Sequence, residues 1–571
     1  MPDRDVRSTI GIPADGVRIP DSVAAICHTR RVSDGPATTR WSRREARRAR
    51  FRRRAIAGLG AVAVVAALSV AATRETANDP AVDPTSPGAS VDIPATPTRS
   101  PTIAEENLKP GDVTWPVPDD PKVWSKIRGF TDQVSAQRGD AVGLFVSTKA
   151  KSFTVTAVRM GWYGGTGGRV IWRSDPQPGA EQPAAVIDAK TGMRSAPWTK
   201  SMDITLTNDF VPGMYVFKLV GDDGGQSMVP ITVRDDSSHA ALLIGSGVTT
   251  WQAYNGWGGA NLYSGEPGLD PRKRARVVSF DRPYDGNGTG EYFGREDLLV
   301  AMVEASGLDV SYTTDVDVHA HPELLLNHRA YIAPTHDEYW TKEMRDGVEA
   351  ARDHGVNLLF MGANAAYRRI RLEPSPLGDF RQEVNYRVAK DDPLYGKDDE
   401  RVTTSWREAP KARPESSMIG NYYECNPVDA DMVITEPGAW MFAGTGFKKG
   451  DKLPHVVGNE YDRVTPEVPT PDTIEVVAHS PVRCGKLKSF ADMSYYTAPS
   501  GAGVLATGTF RWESHLGEPC PDDKIVGIDC QIRKSMLNML QVFGAGPAGV
   551  SYPSTNNLAK LGIRRGYVAT N

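Results

Sequence analysis

The chain has 571 residues, 40 % of them hydrophobic and 24 % charged, with a formal net charge of −4. That length supports more than one hydrophobic core, and the near-balanced charge argues against a nucleic-acid partner. The charge is unevenly placed: nine arginines and one glutamate lie between Arg40 and Arg54, and Ala55 to Thr73 then carries no charge at all.

Taken in chain order, residues 1–54 show no sustained apolar period and read as a disordered, basic cytoplasmic segment. Residues 55–73, rich in Ala and Val, have the length of a transmembrane helix or of a signal segment. The arginine cluster keeps the N-terminal side in the cytoplasm, so everything after Thr73 is expected outside it. This predicts a single-pass cell-membrane protein with exported C-terminal domains. A secreted form is the alternative, because Ala71, Ala72 and Thr73 are small enough for a cleavage site. Residues 74–105 contain Pro80, Pro84, Pro87, Pro94, Pro97 and Pro101 and read as a semi-extended linker. Cys27 stands alone on the cytoplasmic side, while Cys425, Cys484, Cys520 and Cys530 form an even set beyond the membrane. Four cysteines allow three pairings. The short loop through Pro521-Asp522-Asp523 favours Cys520–Cys530, which leaves Cys425–Cys484. Zinc binding lacks the Cys-x-x-Cys pair that would support it.

Residues 106–235 show short alternating strands: Val142 to Ser147, Phe153 to Val158, Met202 to Leu206, Met214 to Val220 and Val229 to Val233. This spacing predicts a β-sandwich of immunoglobulin or fibronectin type. The run Gly161-Trp162-Tyr163-Gly164-Gly165-Thr166-Gly167-Gly168 interrupts it, either as a loop covering a neighbouring site or as a cluster of turns. Residues 236–571 change pattern. Ala240 to Gly245 is a continuous apolar run, as a strand buried on both faces requires. A helix over Phe293 to Ser306, a strand at Leu308 to Tyr312, a helix over Lys342 to His354 and a strand at Val356 to Phe360 follow. Alternation of this kind predicts a doubly wound, mostly parallel α/β sheet. An insertion rich in loops spans about 373–463, and Ile474 to Ala478, Val504 to Thr507 and a helix over Ile532 to Phe543 close the domain.

Two loops carry most of the chemistry. Ala333-Pro334-Thr335-His336-Asp337-Glu338-Tyr339-Trp340 follows the apolar run Ala330 to Ala333. Met361-Gly362-Ala363-Asn364-Ala365-Ala366-Tyr367-Arg368 follows Val356 to Phe360. In an open α/β sheet ligands bind outside the carboxyl ends of the strands, so this pair forms a candidate active site. His336 and Glu338 are candidates for proton transfer, and Asn364 for stabilising an oxyanion. Asp281-Arg282-Pro283-Tyr284-Asp285 reaches the same rim, where it could meet substrate. Trp251, Tyr254, Trp257 and Tyr263, with Asn255 and Asn261, could form a sugar platform or pack under the insertion. His319 and His321 have a spacing that could suit a metal, and that also fits an exposed strand end.

Met160-Gly161-Trp162-Tyr163-Gly164-Gly165, Thr249 to Asn255, His336 to Trp340, Gly362-Ala363-Asn364 and Tyr422-Tyr423-Glu424-Cys425-Asn426-Pro427 together resemble the family of the N,N-dimethylformamidase large (beta) subunit. The resemblance runs from about Asn107 to the C-terminus. It implies a β-sandwich followed by a flavodoxin-like domain similar to class I glutamine amidotransferases. The amidotransferase nucleophile is missing, because no cysteine lies near Ala363 and Asn364. What the resemblance implies instead is a mononuclear ferric ion held by two tyrosinates and a glutamate, matched here to Tyr339, Tyr367 and Glu460. Such a ligand set makes chemical sense: Fe(III) is hard, prefers oxygen donors, and depresses the phenol pKa from about 10. The expected function is therefore an exported, membrane-tethered, iron-dependent hydrolase of amide carbon–nitrogen bonds. Its substrate would be a small-molecule amide, and a small partner subunit or a homo-oligomer is compatible with it. A non-catalytic envelope protein that binds surface glycans is the alternative. The bland reading of each tyrosine is a core residue with a wet hydroxyl, and Asp337 or Thr341 could serve only to cap a helix.

Overall fold

A computed structural model of the chain describes residues 101–565, except positions 268, 518, 522 and 523. The segments 1–54 and 55–73, Cys27 and nearly all of the linker lie outside the described residues. Among the described residues no helix is long and apolar enough to cross a membrane. The chain is multidomain and β-rich, with mixed sheets and a smaller share of helix. The first described helix, Pro101–Leu108, takes in the last residues of the expected linker. Pro101 suits a first helical position, where no N–H is needed, and buried Ile103 and Glu106 tie the helix down.

Two sheets follow. One orders Ile127–Thr131, Ala141–Thr148 and Met202–Thr205; the other orders Ser135–Gln137, Gln226–Arg234, Gly213–Gly221, Ser152–Met160 and Gly168–Arg173. Period-two alternation places Val142, Leu144 and Val146 of the first sheet against Tyr215, Phe217, Leu219, Val229 and Ile231 of the second in one buried cluster. The strands expected from alternation are all present; four are extended by one to three residues at their ends, and Met202–Thr205 ends one residue short of the expected Leu206.

The next sheet has seven strands in the order Val310–Thr314, Leu242–Ser246, Ala330–Ala333, Asn357–Phe360, Gly503–Ala506, Leu487–Thr497 and Glu475–Cys484. The first five run parallel, and Leu487–Thr497 is antiparallel to both of its neighbours, Gly503–Ala506 and Glu475–Cys484. From Leu242–Ser246 the chain first moves outward to Val310–Thr314, then returns to the other side at Ala330–Ala333. The winding direction therefore switches between Leu242–Ser246 and Ala330–Ala333. Loops that leave a sheet at such a point diverge and open a crevice at the carboxyl ends of the strands. Helices Asp297–Ala305, Asp315–Ala320, Lys342–Asp353 and Gly527–Ala545 belong to this layer.

The insertion is more regular than its sequence pattern suggests. Tyr422–Val433 and Lys452–Arg463 pair as a long antiparallel ribbon. Arg368–Ser375 and Gly378–Val384 form a hairpin, beside which Tyr339–Thr341 pairs in parallel with Arg368–Ser375. Three register shifts break the ribbon's alternation, which is why period-two reasoning misses it. Among the described residues two disulfides are present, Cys425–Cys484 and Cys520–Cys530. The first ties the ribbon to the edge strand of the seven-stranded sheet.

Candidate active site at the switch point

Three segments meet outside the strand ends. Helix Val248–Tyr254 leaves the first strand, and its Thr249 and Thr250 grip the backbone of the next loop: Thr249 donates to the Tyr339 carbonyl at 2.7 Å, and the Glu338 N–H donates to the Thr250 hydroxyl at 2.9 Å. The two chemistry-bearing loops press backbone on backbone. A Cβ at Gly362 would lie 1.7 Å from the Thr335 carbonyl oxygen, so only glycine permits this approach. Asn364 (φ +60°) and Ala366 (φ +48°) then adopt left-handed conformations. Asparagine tolerates that region better than most residues, and its N–H donates to Asp462 of the ribbon at 2.8 Å.

Glu338 is the hub. Its carboxylate accepts hydrogen bonds from the Tyr254 hydroxyl at 2.8 Å and the Tyr263 hydroxyl at 2.7 Å. Arg368 Nε and His336 Nε2 both lie 3.6 Å from it. Burial pushes the Glu338 carboxyl up, but His336, Arg368 and the Tyr263 hydroxyl together hold it below its ordinary value. His336 donates through Nδ1 to Glu291 at 2.6 Å. Burial pulls the imidazole down, and the Glu291 charge and hydrogen bond outweigh it, raising the pKa to about 10. At neutral pH His336 is therefore an imidazolium whose Nε2 faces the Glu338 carboxylate at 3.6 Å, just beyond hydrogen-bond distance.

Glu460 comes from the ribbon. Asn426 donates to its Oε1 at 2.7 Å, while Oε2 is buried and unpaired. Burial raises its pKa to about 7; the Glu338 charge adds to this, and His336, Asn426 and Asn364 oppose it. Asn364 Oδ1 is also buried without a partner. The Tyr339 ring is buried, flanked by the rings of Tyr254 and Tyr263 at 6.4 and 6.3 Å. Burial raises its hydroxyl above the ordinary phenol value, with Glu338 adding to that and Arg387 and Arg368 opposing it.

Of the six residues singled out from sequence, His336, Glu338, Asn364, Tyr339 and Glu460 belong to one electrostatically connected cluster. Tyr367 stands beside it. Register pairs Tyr339 with Arg368, so Tyr367 is one residue from Tyr339's neighbour on the adjacent strand. It is half-buried, its ring 5.4 Å from that of Tyr423, with the guanidinium groups of Arg368 and Arg407 4.6 and 4.7 Å from its centre. Sequence reasoning missed Glu291, Arg368, Tyr423 and the direct role of Tyr254 and Tyr263. Only the last two carried a signal, an aromatic pair at short spacing after the first strand.

Other candidates have structural work. Arg282 is buried and donates to Gln252 and to the carbonyls of Asn255, Trp257 and Ala260, and Asp281 pairs with Arg381. Trp251 is buried and donates to Glu296, so it offers no platform face. His319 faces Thr341, and His321 is exposed beside Glu323. A small cavity lined by Phe130, Met214, Trp251 and Arg381 shares no residue with the cluster.

No group of three or more His, Cys, Asp or Glu side chains among the described residues could hold a metal. A metal here needs the tyrosines. The donor types in the cluster fit a hard cation: the Tyr339 phenol oxygen, with Glu460 Oε2 and Asn364 Oδ1, which have no hydrogen-bond partner.

A family model described as N,N-dimethylformamidase beta subunit-like, C-terminal, matches residues 154–523. That is well over half of the chain, and the protein belongs to this family. Among curated proteins none matches it.

Proposed function

We propose that the protein is a metal-dependent hydrolase of amide carbon–nitrogen bonds, with Fe(III) held by Tyr339, Tyr367 and Glu460. The single observation that supports this is the meeting of unsatisfied buried atoms, Glu460 Oε2, His336 Nε2 and Asn364 Oδ1, at the switch point of the sheet. Buried polar atoms are nearly always paired, so three in one crevice point to a ligand that completes them. When bound, the ferric ion would supply Lewis acidity toward an amide carbonyl and lower the pKa of a coordinated water.

The chain's own groups do the rest. His336 holds a proton at Nε2 ready for the leaving nitrogen, and Glu291 keeps it there. Glu338 remains anionic and fixes the Tyr254 and Tyr263 hydroxyls. Asn364, through its Nδ2 donor, is our candidate for the hydrogen bond to a developing oxyanion. We take the finer architecture as an immunoglobulin-like sandwich over 106–235 and a flavodoxin-like, amidotransferase-like domain over 236–571. The family is named for one subunit of an enzyme, which is compatible with a small partner subunit or an oligomer. Tethering outside the cytoplasm rests on the sequence of residues 1–73 and on the two disulfides, which are characteristic of oxidising compartments.

The test is direct. Full-length protein loaded with iron should be visibly coloured by tyrosinate-to-metal charge transfer and should hydrolyse a panel of small amides. Tyr339→Phe should lose both the colour and the turnover. A colourless, iron-free protein that turns over no amide would overturn the reading.

A further inference from the structure

Beyond the reacting groups, Arg387 lies against Tyr339, with Arg274 close to it and Arg276 close to Arg274. Arg387 reaches the Tyr339 hydroxyl through Nη2 at 3.4 Å, and its guanidinium lies 4.0 Å from the centre of the Tyr263 ring. Its Nε is buried without a hydrogen-bond partner. Its backbone is fixed in the left-handed region at φ +63°, with its carbonyl accepting from Thr404 at 2.9 Å. Arg274, held by the carbonyls of Ala275, Asn385 and Tyr386, is drawn down to about 10, first by burial and then by the like charges of Arg387 and Arg276.

The neighbouring arginines differ. Arg368 has Glu338 and Arg407 has Glu415 as counter-charge. Among the described residues Arg274, Arg276 and Arg387 form no ion pair with an aspartate or glutamate. Half-buried cations without counter-charge repel one another and lose hydration.

We infer that the substrate of this site is an amide bearing an oxyanion of its own, carboxylate or phosphate, which seats on Arg387 with Arg274 and Arg276 behind it. This rests on the hydrolase reading above and gives its substrate class. A planar guanidinium with free N–H groups beside a buried reaction centre is suited to recognise such an anion by charge-assisted hydrogen bonds.

The experiment compares kcat/KM of iron-loaded, full-length protein on N-acetylglycine, N-acetylethanolamine phosphate and uncharged N-methylacetamide. Wild type should prefer one anionic amide over the neutral one by about 10- to 100-fold, and the better anion identifies carboxylate or phosphate. Arg387→Gln should lose at least about tenfold more on that anion than on the neutral amide, mainly in KM, with partial rescue by Arg387→Lys. Equal losses in kcat on all three, or preference for the neutral amide, would overturn the inference and leave Arg387 serving Tyr339 alone. If no amide is turned over, calorimetric titration with the two anionic compounds separates the readings. Binding that needs Arg387 then keeps the anion site while sinking the hydrolase; no binding of either compound sinks the anion site.

Discussion

Two buried clusters of this protein use the same side chains to different ends. Where the two-sheet domain meets helix Asp297–Ala305, Arg159 donates to both Glu304 oxygens at 2.6 and 2.8 Å, to the Tyr163 hydroxyl at 2.9 Å and to the carbonyls of Val211 and Pro212. Glu304 also accepts from Asn107 and Tyr312, and Tyr163 donates to Glu106. Every polar atom of that knot is paired. At the switch point Glu338, His336 and their tyrosines are equally buried, yet Glu460 Oε2, His336 Nε2, Asn364 Oδ1 and Arg368 Nε are not hydrogen-bonded. Full pairing makes a buried network rigid and specific; leftover valence in a low dielectric is costly, and it persists where a ligand is to be bound. Burial and residue type alone would not separate the two clusters.

The largest expected effect breaks the satisfied cluster. Arg159→Met strands Glu304 without a counter-ion and should lower the unfolding free energy by about 3–5 kcal/mol, read by urea denaturation of the whole chain. The double variant Arg159→Met with Glu304→Leu should recover most of that loss, because neither charge then remains buried. The unsatisfied cluster should respond in the opposite way. Glu338→Gln keeps an acceptor for the tyrosines but removes the charge beside His336 and Arg368, so amide turnover should fall by about 10²- to 10³-fold while the urea midpoint moves little. A loss of stability as large as that of Arg159→Met would make Glu338 a second structural knot.

Much of this was legible in the sequence, for particular reasons. Alternation betrayed the strands of the first two sheets, and apolar runs ended by polar loops betrayed the central parallel strands at Leu242–Ser246, Ala330–Ala333 and Asn357–Phe360. Glu460 was reached through the family likeness. The ribbon that carries it is obscured by register shifts, and its contact with Asn364 joins residues almost a hundred positions apart. The glycine run at 161–168 was undecidable by pattern, because its purpose is a close approach: a Cβ at Gly161 would meet Glu304 Oε2 at 2.3 Å. Nor could any local signal show that Glu291 would fix the charge of His336, since the pairing exists only in three dimensions.

A smaller effect sharpens the comparison through pH. The folded pKa of His336 is raised to about 10 from an ordinary 6.5. Its pair with Glu291 therefore stabilises the protein fully below pH 6.5 and loses that contribution as pH rises through about 10. Glu291→Gln should cost about 1–3 kcal/mol at pH 7, less above pH 10, and should move the alkaline limb of the pH–rate profile toward neutrality. A satisfied structural pair would change stability and leave that limb where it is.

The smallest effect separates backbone from side chain within the site itself. Asn364 sits at φ +60°, where alanine pays about 1–2 kcal/mol and glycine nothing. Asn364→Ala should therefore lower stability by about 1 kcal/mol and Asn364→Gly should not, as read by the urea midpoint. Both delete the amide that faces Glu460. If turnover falls about tenfold or more in both, the side chain acts in the reaction. If it falls only in the alanine variant, Asn364 merely shapes the loop that carries Tyr367, and the unpaired oxygen at Oδ1 would belong with the structural features of the fold.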